Sequence, residues 1–172
     1  MKTIQVRLDP QSVDNAIREL NQYKTEVENK TRQLVQRLVD LGANVVRVKI
    51  VEMGAYYSGE LYAGAGGYYS PTLNAGVVRV TSDHVAFVEF GTGVMGQSNP
   101  HKNGEYLSKA SWAYATGRTI FTTKDGRVGW YYPTDNGEYR FTEGMKSRPF
   151  MYETALELQR EFPRIAREVF GT

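Results

Sequence analysis

The chain has 172 residues, of which 41% are hydrophobic and 23% are charged, and its formal net charge is +2. This composition is typical of a globular domain and excludes a disordered chain, and the charge is too small to indicate nucleic acid or an anionic membrane as the main partner. The absence of cysteine excludes disulfides, thiol catalysis and cysteine-ligated metals. Because we find neither an apolar signal segment nor a stretch of about 20 apolar residues, we expect no membrane partner and no ordinary secretion.

The first part of the chain predicts a short strand followed by a long helix. Residues 4–8 alternate apolar and polar side chains, which is typical of a strand. Asp9 is a favourable N-cap, and Pro10 suits the first helical position. Apolar residues then recur every three or four positions to about Met53, which predicts an amphipathic helix packed on a sheet rather than a coiled coil. The stripe weakens near 22–31, so one helix and two helices with a break both fit.

The middle of the chain is rich in glycine and tyrosine and contains two apolar runs. Residues 54–76 predict an irregular connector. Residues 76–80 and 85–90 predict two strands of an antiparallel hairpin, joined by a turn at 81–84. Residues 91–117 contain several turn-forming residues and little periodicity, which predicts a long loop.

A second β-rich stretch and a terminal helix complete the chain. Residues 118–122 and 128–132 predict a hairpin, and a further turn at 135–137 leads to a strand at 139–141. Pro149 is placed to open a helix, and Pro163 predicts a kink or a restart within it. The apolar stripe of this helix is Met151, Ala155, Leu158, Phe162, Ile165 and Val169.

These elements predict a single α+β domain over residues 1–172. Its mostly antiparallel sheet carries a long N-terminal helix and a C-terminal helix packed on it. Residues 94–144 are expected to form an extended loop and β-hairpin insertion.

Few groups in the chain are suited to catalysis or metal binding. His84 is predicted in a hairpin turn and His101 in a flexible loop, each without a histidine or acidic partner at ligand spacing. Gly91 and Gly93 lack the further glycines and the lysine of a phosphate-binding loop. We therefore predict two surface histidines, no metal, no cofactor, no catalytic residue, and a protein that is not an enzyme.

Aromatic and basic residues are concentrated between residues 112 and 132, with two further tyrosines upstream. Tyrosine and tryptophan among scattered charges are typical of a protein–protein contact surface, which we favour. The alternative is a single-strand nucleic-acid-binding module that stacks bases on the aromatic residues of 112–132. The candidates for the subunit or partner interface are Tyr68, Tyr69, Trp112, Tyr114, Arg118, Phe121, Arg127, Trp130, Tyr131 and Tyr132.

Three short motifs occur in a particular order along the chain. Residues 57–61 contain G-x-L, residues 85–93 contain V-E-F-G-T, and residues 147–151 contain R-P-F before the last helix. In this order they resemble the tail-component family of long-tailed bacteriophages, which are tail-completion or neck proteins comparable in role to the minor tail protein Z of lambda. The stretch 94–144 is longer than the loop of compact family members. The motif residues are Glu89, Phe90, Gly91, Arg148, Pro149 and Phe150.

The resemblance implies a structural protein of the virion neck that completes the tail and joins it to the head connector. The partners would be a tail terminator or tail tube and a head-connector or stopper protein, with DNA only passing through the channel. The chain would form a homo-oligomeric ring of roughly six or twelve copies in the virion. It would be present in the host cytoplasm during assembly, and a monomer in solution would be compatible with this role.

Each motif also has a physical interpretation. Phe90 and Phe150 are expected to pack in the core, and Gly91 to adopt a backbone conformation that other residues avoid. Glu89 and Arg148 are expected to form an ion pair where the strand end meets the helix start.

Overall fold

The structure is a computed structural model that describes residues 7, 9–56, 58–114, 119–134 and 136–171. The strand predicted at 4–8 therefore falls outside the described residues, apart from Arg7. The interface candidate Arg118 also falls outside them.

A single helix, α1 (Pro10–Glu52), occupies the first third of the chain. The side chain of Asp9 accepts a hydrogen bond from the Ser12 amide at 2.8 Å, which confirms the predicted N-cap. Met53 is the C-cap, as the apolar stripe predicted. The helix continues through residues 22–31, so the alternative with a break is excluded.

The glycine- and tyrosine-rich connector is folded, contrary to the prediction. It contains a short helix, α2 (Glu60–Gly64), and a strand, β1 (Ala65–Ser70), which pairs antiparallel with β2 (Ala75–Val80). The glycines of this hairpin allow its backbone to approach α1. A Cβ atom on Gly67 or Gly76 would lie 2.7 Å or 2.3 Å from a methyl group of Val39.

The run 85–90 is a helix, α3 (Val85–Phe90), and not the predicted strand. Its amides bond in the helical pattern, for example from Val88 to the His84 carbonyl at 3.0 Å. The predicted partner strand, β2, already pairs with β1. A short apolar run fits either structure, and here the packing of Val88 and Glu89 decides for a helix.

The predicted loop at 91–117 contains two further helices, α4 (Gly93–Ser98) and α5 (Gly104–Lys109). Helix α5 begins at a side-chain cap, because the Asn103 side chain accepts from the amides of Glu105 and Tyr106.

The later β-rich stretch forms a three-stranded antiparallel sheet in the order β3–β4–β5. The strands are β3 (Phe121–Thr122), β4 (Val128–Pro133) and β5 (Tyr139–Thr142), so the predicted turn at 124–127 is present; in the second predicted turn, Asp135 lies outside the described residues. A short strand, β6 (Gly144–Met145), follows and forms bridges to Thr92 and Gly93.

The last helix, α6 (Phe150–Phe170), is one element that includes Pro163, so the helix does not restart there. Ile165 and Val169 are buried as predicted, whereas Phe162 is 49% exposed and the predicted stripe is therefore wrong in part. The positions that are buried in addition are Phe150 and Thr154.

Helices α1 and α6 pack against each other, and the β1–β2 hairpin packs on α1. Helix makes up about 55% of the described residues and strand about 17%, in small antiparallel sheets, which confirms the α+β class. Among the described residues, no helix combines the length and apolarity needed to cross a membrane. The main core cluster contains Val46, Ile50, Ala55, Leu61, Ala65, Val88 and Phe150.

Candidate functional site

Three segments that are distant in sequence meet at one place in the fold, and we call this place the motif junction. The segments are residues 58–61, 88–92 and 147–150. Leu61, Val88 and Phe150 provide one apolar side chain from each segment to the main core cluster. The three motifs therefore belong to a single packed unit.

The Glu89 carboxylate caps the N-terminus of α6. Its two oxygens accept the amides of Met151 at 2.9 Å and of Tyr152 at 3.0 Å, although Glu89 precedes these residues by about 60 positions. Pro149, at the N-cap position, makes no side-chain cap of its own. A carboxylate at a helix N-terminus satisfies unpaired amides and interacts favourably with the helix dipole. Glu89 thus supplies the cap that the local sequence lacks.

His101 completes the hydrogen bonding of this carboxylate. Its Nε2 atom lies 3.3 Å from Glu89 Oε1, and the side chains are 0% and 8% exposed. A carboxylate oxygen can only accept, so Nε2 is the donor in this contact, while Nδ1 lies 3.1 Å from the Asn103 amide nitrogen and 3.3 Å from the Asn103 carbonyl oxygen. The prediction of a surface histidine without an acidic partner is wrong for His101.

The rings of three aromatic residues surround this histidine. Phe90 and Tyr152 each have ring centroids 5.3 Å from that of His101, and Tyr106 lies at 6.3 Å. This enclosure excludes water from the carboxylate and imidazole. Burial raises the pKa of Glu89, while its bonds to the α6 amides and to His101 act in the opposite direction.

Backbone contacts fasten the end of α3 to the segment before α6. The Ser147 hydroxyl donates to the Glu89 carbonyl at 2.6 Å, and the Arg148 amide donates to the Val88 carbonyl at 2.9 Å. Gly91 has a φ of 80°, and a Cβ there would lie 2.7 Å from the Ser147 amide nitrogen. The predicted need for glycine at this position is confirmed.

The ion pair predicted between Glu89 and Arg148 is wrong. Within the described ranges, the carboxylate is engaged by α6 and His101, and no salt bridge joins it to Arg148. The Nε atom of Arg148 is buried without a hydrogen-bond partner. The residue lines a cleft of about 330 Å³, together with Ser58, Leu61 and His84 among others.

Phe150 is 0% exposed, which confirms the packing predicted for it, whereas Phe90 is only partly buried. Phe90 and Phe87 both contact the ring of Trp112. Trp112 also donates its indole N–H to the Gly91 carbonyl at 3.1 Å.

The interface candidates fall into two groups. Trp130 is 8% exposed, and Trp112 and Tyr114 are partly buried, so these three side chains face the interior. Tyr69 is partly buried and donates its hydroxyl to Asn74 at 2.6 Å. The described candidates with exposed side chains are Tyr68, Phe121, Arg127, Tyr131 and Tyr132.

One surface of the β3–β4–β5 sheet is aromatic, and we call it the aromatic face; its residues are Phe121, Tyr131, Tyr139 and Phe141. Tyr131 is paired with Phe141 across the strands, and its ring centroid lies 5.6 Å from that of Phe121 and 5.4 Å from that of Phe141. The Arg127 guanidinium lies 5.3 Å from the centroid of Phe141.

On the opposite surface of the same sheet, Trp130 is buried, whereas Tyr132 and Arg140 are exposed. Trp130 is on that side, where a Cβ on Gly93 would come within 2.6 Å of its ring. Tyr139 and Phe141 were not among the predicted site residues. Tyr139 and Phe141 alternate with Arg140 along β5, so both lie on one surface, and Phe141 is paired with Tyr131. This alternation is the signal that would have identified them.

Glu89 at the motif junction and His101 beside it are buried and engaged in hydrogen bonds, an arrangement that holds segments together. In the part of the chain that the structure describes, no group of three or more His, Asp or Glu side chains could hold a metal ion. Compared with protein-family models, curated proteins and solved structures, the chain matches none.

Proposed function

We propose that the chain is a structural protein of the neck of a long-tailed phage virion, where it completes the tail and joins it to the head connector. In this role it acts as a part of a ring and not as an enzyme. Its partners are a tail terminator or tail tube protein on one side and a head-connector or stopper protein on the other.

The motif junction is the observation that supports this proposal most. The resemblance to neck proteins rests on three short motifs, each of which is weak by itself. Their side chains belong to one core, and Glu89 of the second motif caps the helix that the third motif introduces. Because the three motifs contact one another in the fold, their occurrence in one chain is evidence for a shared structural unit.

Two further features agree with a structural role. The carboxylate and the imidazole at the motif junction are each less than 10% exposed, so substrate could not reach them without unfolding of the site. The aromatic face, in contrast, exposes large side chains, which is typical of a surface that binds another protein.

The second candidate is a nucleic-acid-binding module, which the aromatic face also favours. Phe121 and Tyr131 are both 46% exposed, and Arg127 lies beside them. Base stacking on such rings is a general mode of single-strand binding. However, Arg127 also pairs with Asp125 at 2.8 Å, and Trp130 is buried, which reduces the positive charge and the stacking surface.

The first test is electron microscopy of lysates from a phage or prophage in which this reading frame is disrupted. We expect filled heads beside separate tails of finished length. Supplying the intact chain from a plasmid should restore joined virions. Supplying Glu89→Ala should restore few or none, whereas Glu105→Ala, which changes a carboxylate with a 72% exposed side chain, should restore them.

Intact virions from the disrupted phage would overturn the neck proposal. The nucleic-acid-binding candidate would then be tested by titrating a single-stranded oligonucleotide at several salt concentrations. Binding through backbone phosphates would weaken steeply as salt increases.

A further inference from the structure

The N-terminal part of α1 is the second large apolar surface of the chain, and we call residues 10–24 the arm. Val13, Ile17 and Leu20 form a stripe on it, and they are 42%, 50% and 55% exposed. Tyr23 lies beside the stripe and is 47% exposed. An apolar stripe on a helix normally packs against something.

Within the described residues, the core clusters stop short of the arm, in which Ala16 is the one buried side chain. The second core cluster ends at Leu34, which packs against Ile165 and Val169 of α6. The β1–β2 hairpin contacts α1 at Val35 and Val39. Among the described residues, no core cluster includes a side chain of the arm.

The arm and the aromatic face lie near opposite ends of α1. The C-terminal part of α1 packs at Val46 and Ile50 against the core cluster of the motif junction. The β3–β4–β5 sheet is followed directly by β6, whose Met145 packs against the same cluster and forms a bridge to Thr92. At 1.5 Å per residue, about 50 Å of straight helix separates Ile17 from Ile50, so the arm does not fold back onto its own sheet.

We propose that the arm of one copy docks on the aromatic face of the next copy. Two different surfaces then meet, which is the head-to-tail type of contact that generates a ring when the rotation closes. This inference rests on the proposed ring and identifies the surfaces that would build it. The occupant of each surface is a second copy of this chain.

Pairing of two arms with each other is the less favourable arrangement. Lys24 and Thr31 occupy the positions that continue the stripe toward Leu34, so an arm-to-arm coiled coil would bury a lysine and a threonine in its seam. Such pairing would also leave the aromatic face exposed to water. Docking of the arm on the aromatic face covers both surfaces at once.

The area of the contact explains why it requires a ring. With about 200 Å² for a whole large side chain, the exposed fractions amount to roughly 400 Å² on each surface. The pair would bury about 800 Å², below the roughly 1,200 Å² of a stable two-body interface. A single contact is therefore weak, and a closed ring, in which every copy uses both surfaces, makes it persistent.

The chain contains no cysteine, so single cysteines can be introduced to test the contact. Purified Ile17→Cys and Tyr131→Cys chains are mixed at high concentration under mild oxidation, and the disulfide-linked dimer is measured over time. The matched controls replace Ile17→Cys by Asn15→Cys, on the other side of the arm, and Tyr131→Cys by Arg140→Cys, on the other surface of the sheet. All four positions are exposed, so folding should be unaffected.

We expect the Ile17→Cys and Tyr131→Cys mixture to form the mixed dimer at least tenfold faster than either control mixture. Equal rates in all mixtures would overturn the proposal, as would faster linking of Ile17→Cys chains to each other. Protection of Tyr131→Cys from oxidation by a single-stranded oligonucleotide alone would also overturn it, in favour of nucleic acid on the aromatic face. The lysate microscopy is independent of these rates, so failure of the docking and failure of the neck role are distinguishable.

Discussion

Removal of the Glu89 carboxylate is the most direct test of the motif junction. In Glu89→Ala, the amides of Met151 and Tyr152 and the Nε2–H of His101 all lose their acceptor. The alanine also leaves space in a site where the glutamate side chain is only 8% exposed, so water does not easily replace the lost acceptor.

The magnitude follows from these three donors. A buried donor without a partner costs about 1–3 kcal/mol, so three donors would cost about 3–9 kcal/mol if the losses were additive. Burial disfavours the ionised Glu89 side chain, so removing this side chain also removes that unfavourable desolvation energy from the folded state. We therefore expect a decrease of about 3–5 kcal/mol and not the full sum over three donors. In Glu89→Gln, the side-chain NH₂ is a donor and cannot accept, so one of the two backbone N–H groups of α6 loses its acceptor. We expect a smaller loss of about 1–3 kcal/mol.

Urea unfolding followed by circular dichroism measures these losses. With a slope near 2 kcal/mol per molar urea, the midpoint of Glu89→Ala should fall by about 2 M. The control is Glu105→Ala, whose carboxylate is in the first turn of α5 and forms a solvent-exposed pair with Lys109. It should change stability by no more than about 0.5 kcal/mol. If Glu89→Ala is within 1 kcal/mol of the intact chain, the carboxylate does not hold the junction together.

Three further predictions concern single side chains. Gly91→Ala should destabilise the fold by at least about 2 kcal/mol, because the residue has positive φ and a Cβ would touch backbone, whereas Gly104→Ala, with open space around it, should be nearly neutral in the same urea assay. Glu153→Gln should cost less than about 1 kcal/mol at neutral pH. The bond from Lys102 lowers the pKa of Glu153, so this stabilisation is present above its ordinary pKa of 4.5 and should disappear as pH falls through the lower folded value in a pH series of unfolding curves. Phe150→Ala should reduce the unfolding free energy by about 3–5 kcal/mol in thermal or urea unfolding, since the ring is fully buried.

The long helices were predictable from the sequence because their signals are repeated many times. The apolar stripe of α1 extends over more than ten turns, and the Asp9–Pro10 start is a local signal that does not depend on the rest of the fold. The two turns of the β3–β4–β5 sheet were predictable for the same reason, since their glycines are needed locally. Gly126 and Gly137 both have positive φ.

Helix α3 was not predictable because its apolar run is only six residues long. Its valines and phenylalanines favour a strand when local preference alone decides. In the fold these residues are helical, and Glu89 faces the start of α6 while Val88 faces the core. Those partners are about 60 residues away and do not appear in a local pattern.

The pair of Glu89 and His101 was missed for a related reason. His101 lies between Pro100 and Asn103 in a stretch with many turn-forming residues, which indicated an exposed loop. The available signal was Asn103 followed by Gly104 and Glu105, which is an N-cap sequence and predicts helix α5 directly after the histidine. A histidine beside a helix start is more restrained than one in an irregular loop.

The stretch 94–144 is attached to the motif junction and also supplies a residue to it. It leaves the body at Gly93 and returns at Gly144, and these residues form an antiparallel bridge, so its ends are already together. Because the entropic cost of closing a loop rises only slowly with its length, such a stretch can be lengthened without disturbing the body. His101, however, belongs to this stretch and completes the bonding of Glu89. The part of 94–144 around His101 is therefore constrained by the junction, and Trp130 holds β4 against Gly93, whereas the exposed aromatic face can change its residues without disturbing either contact.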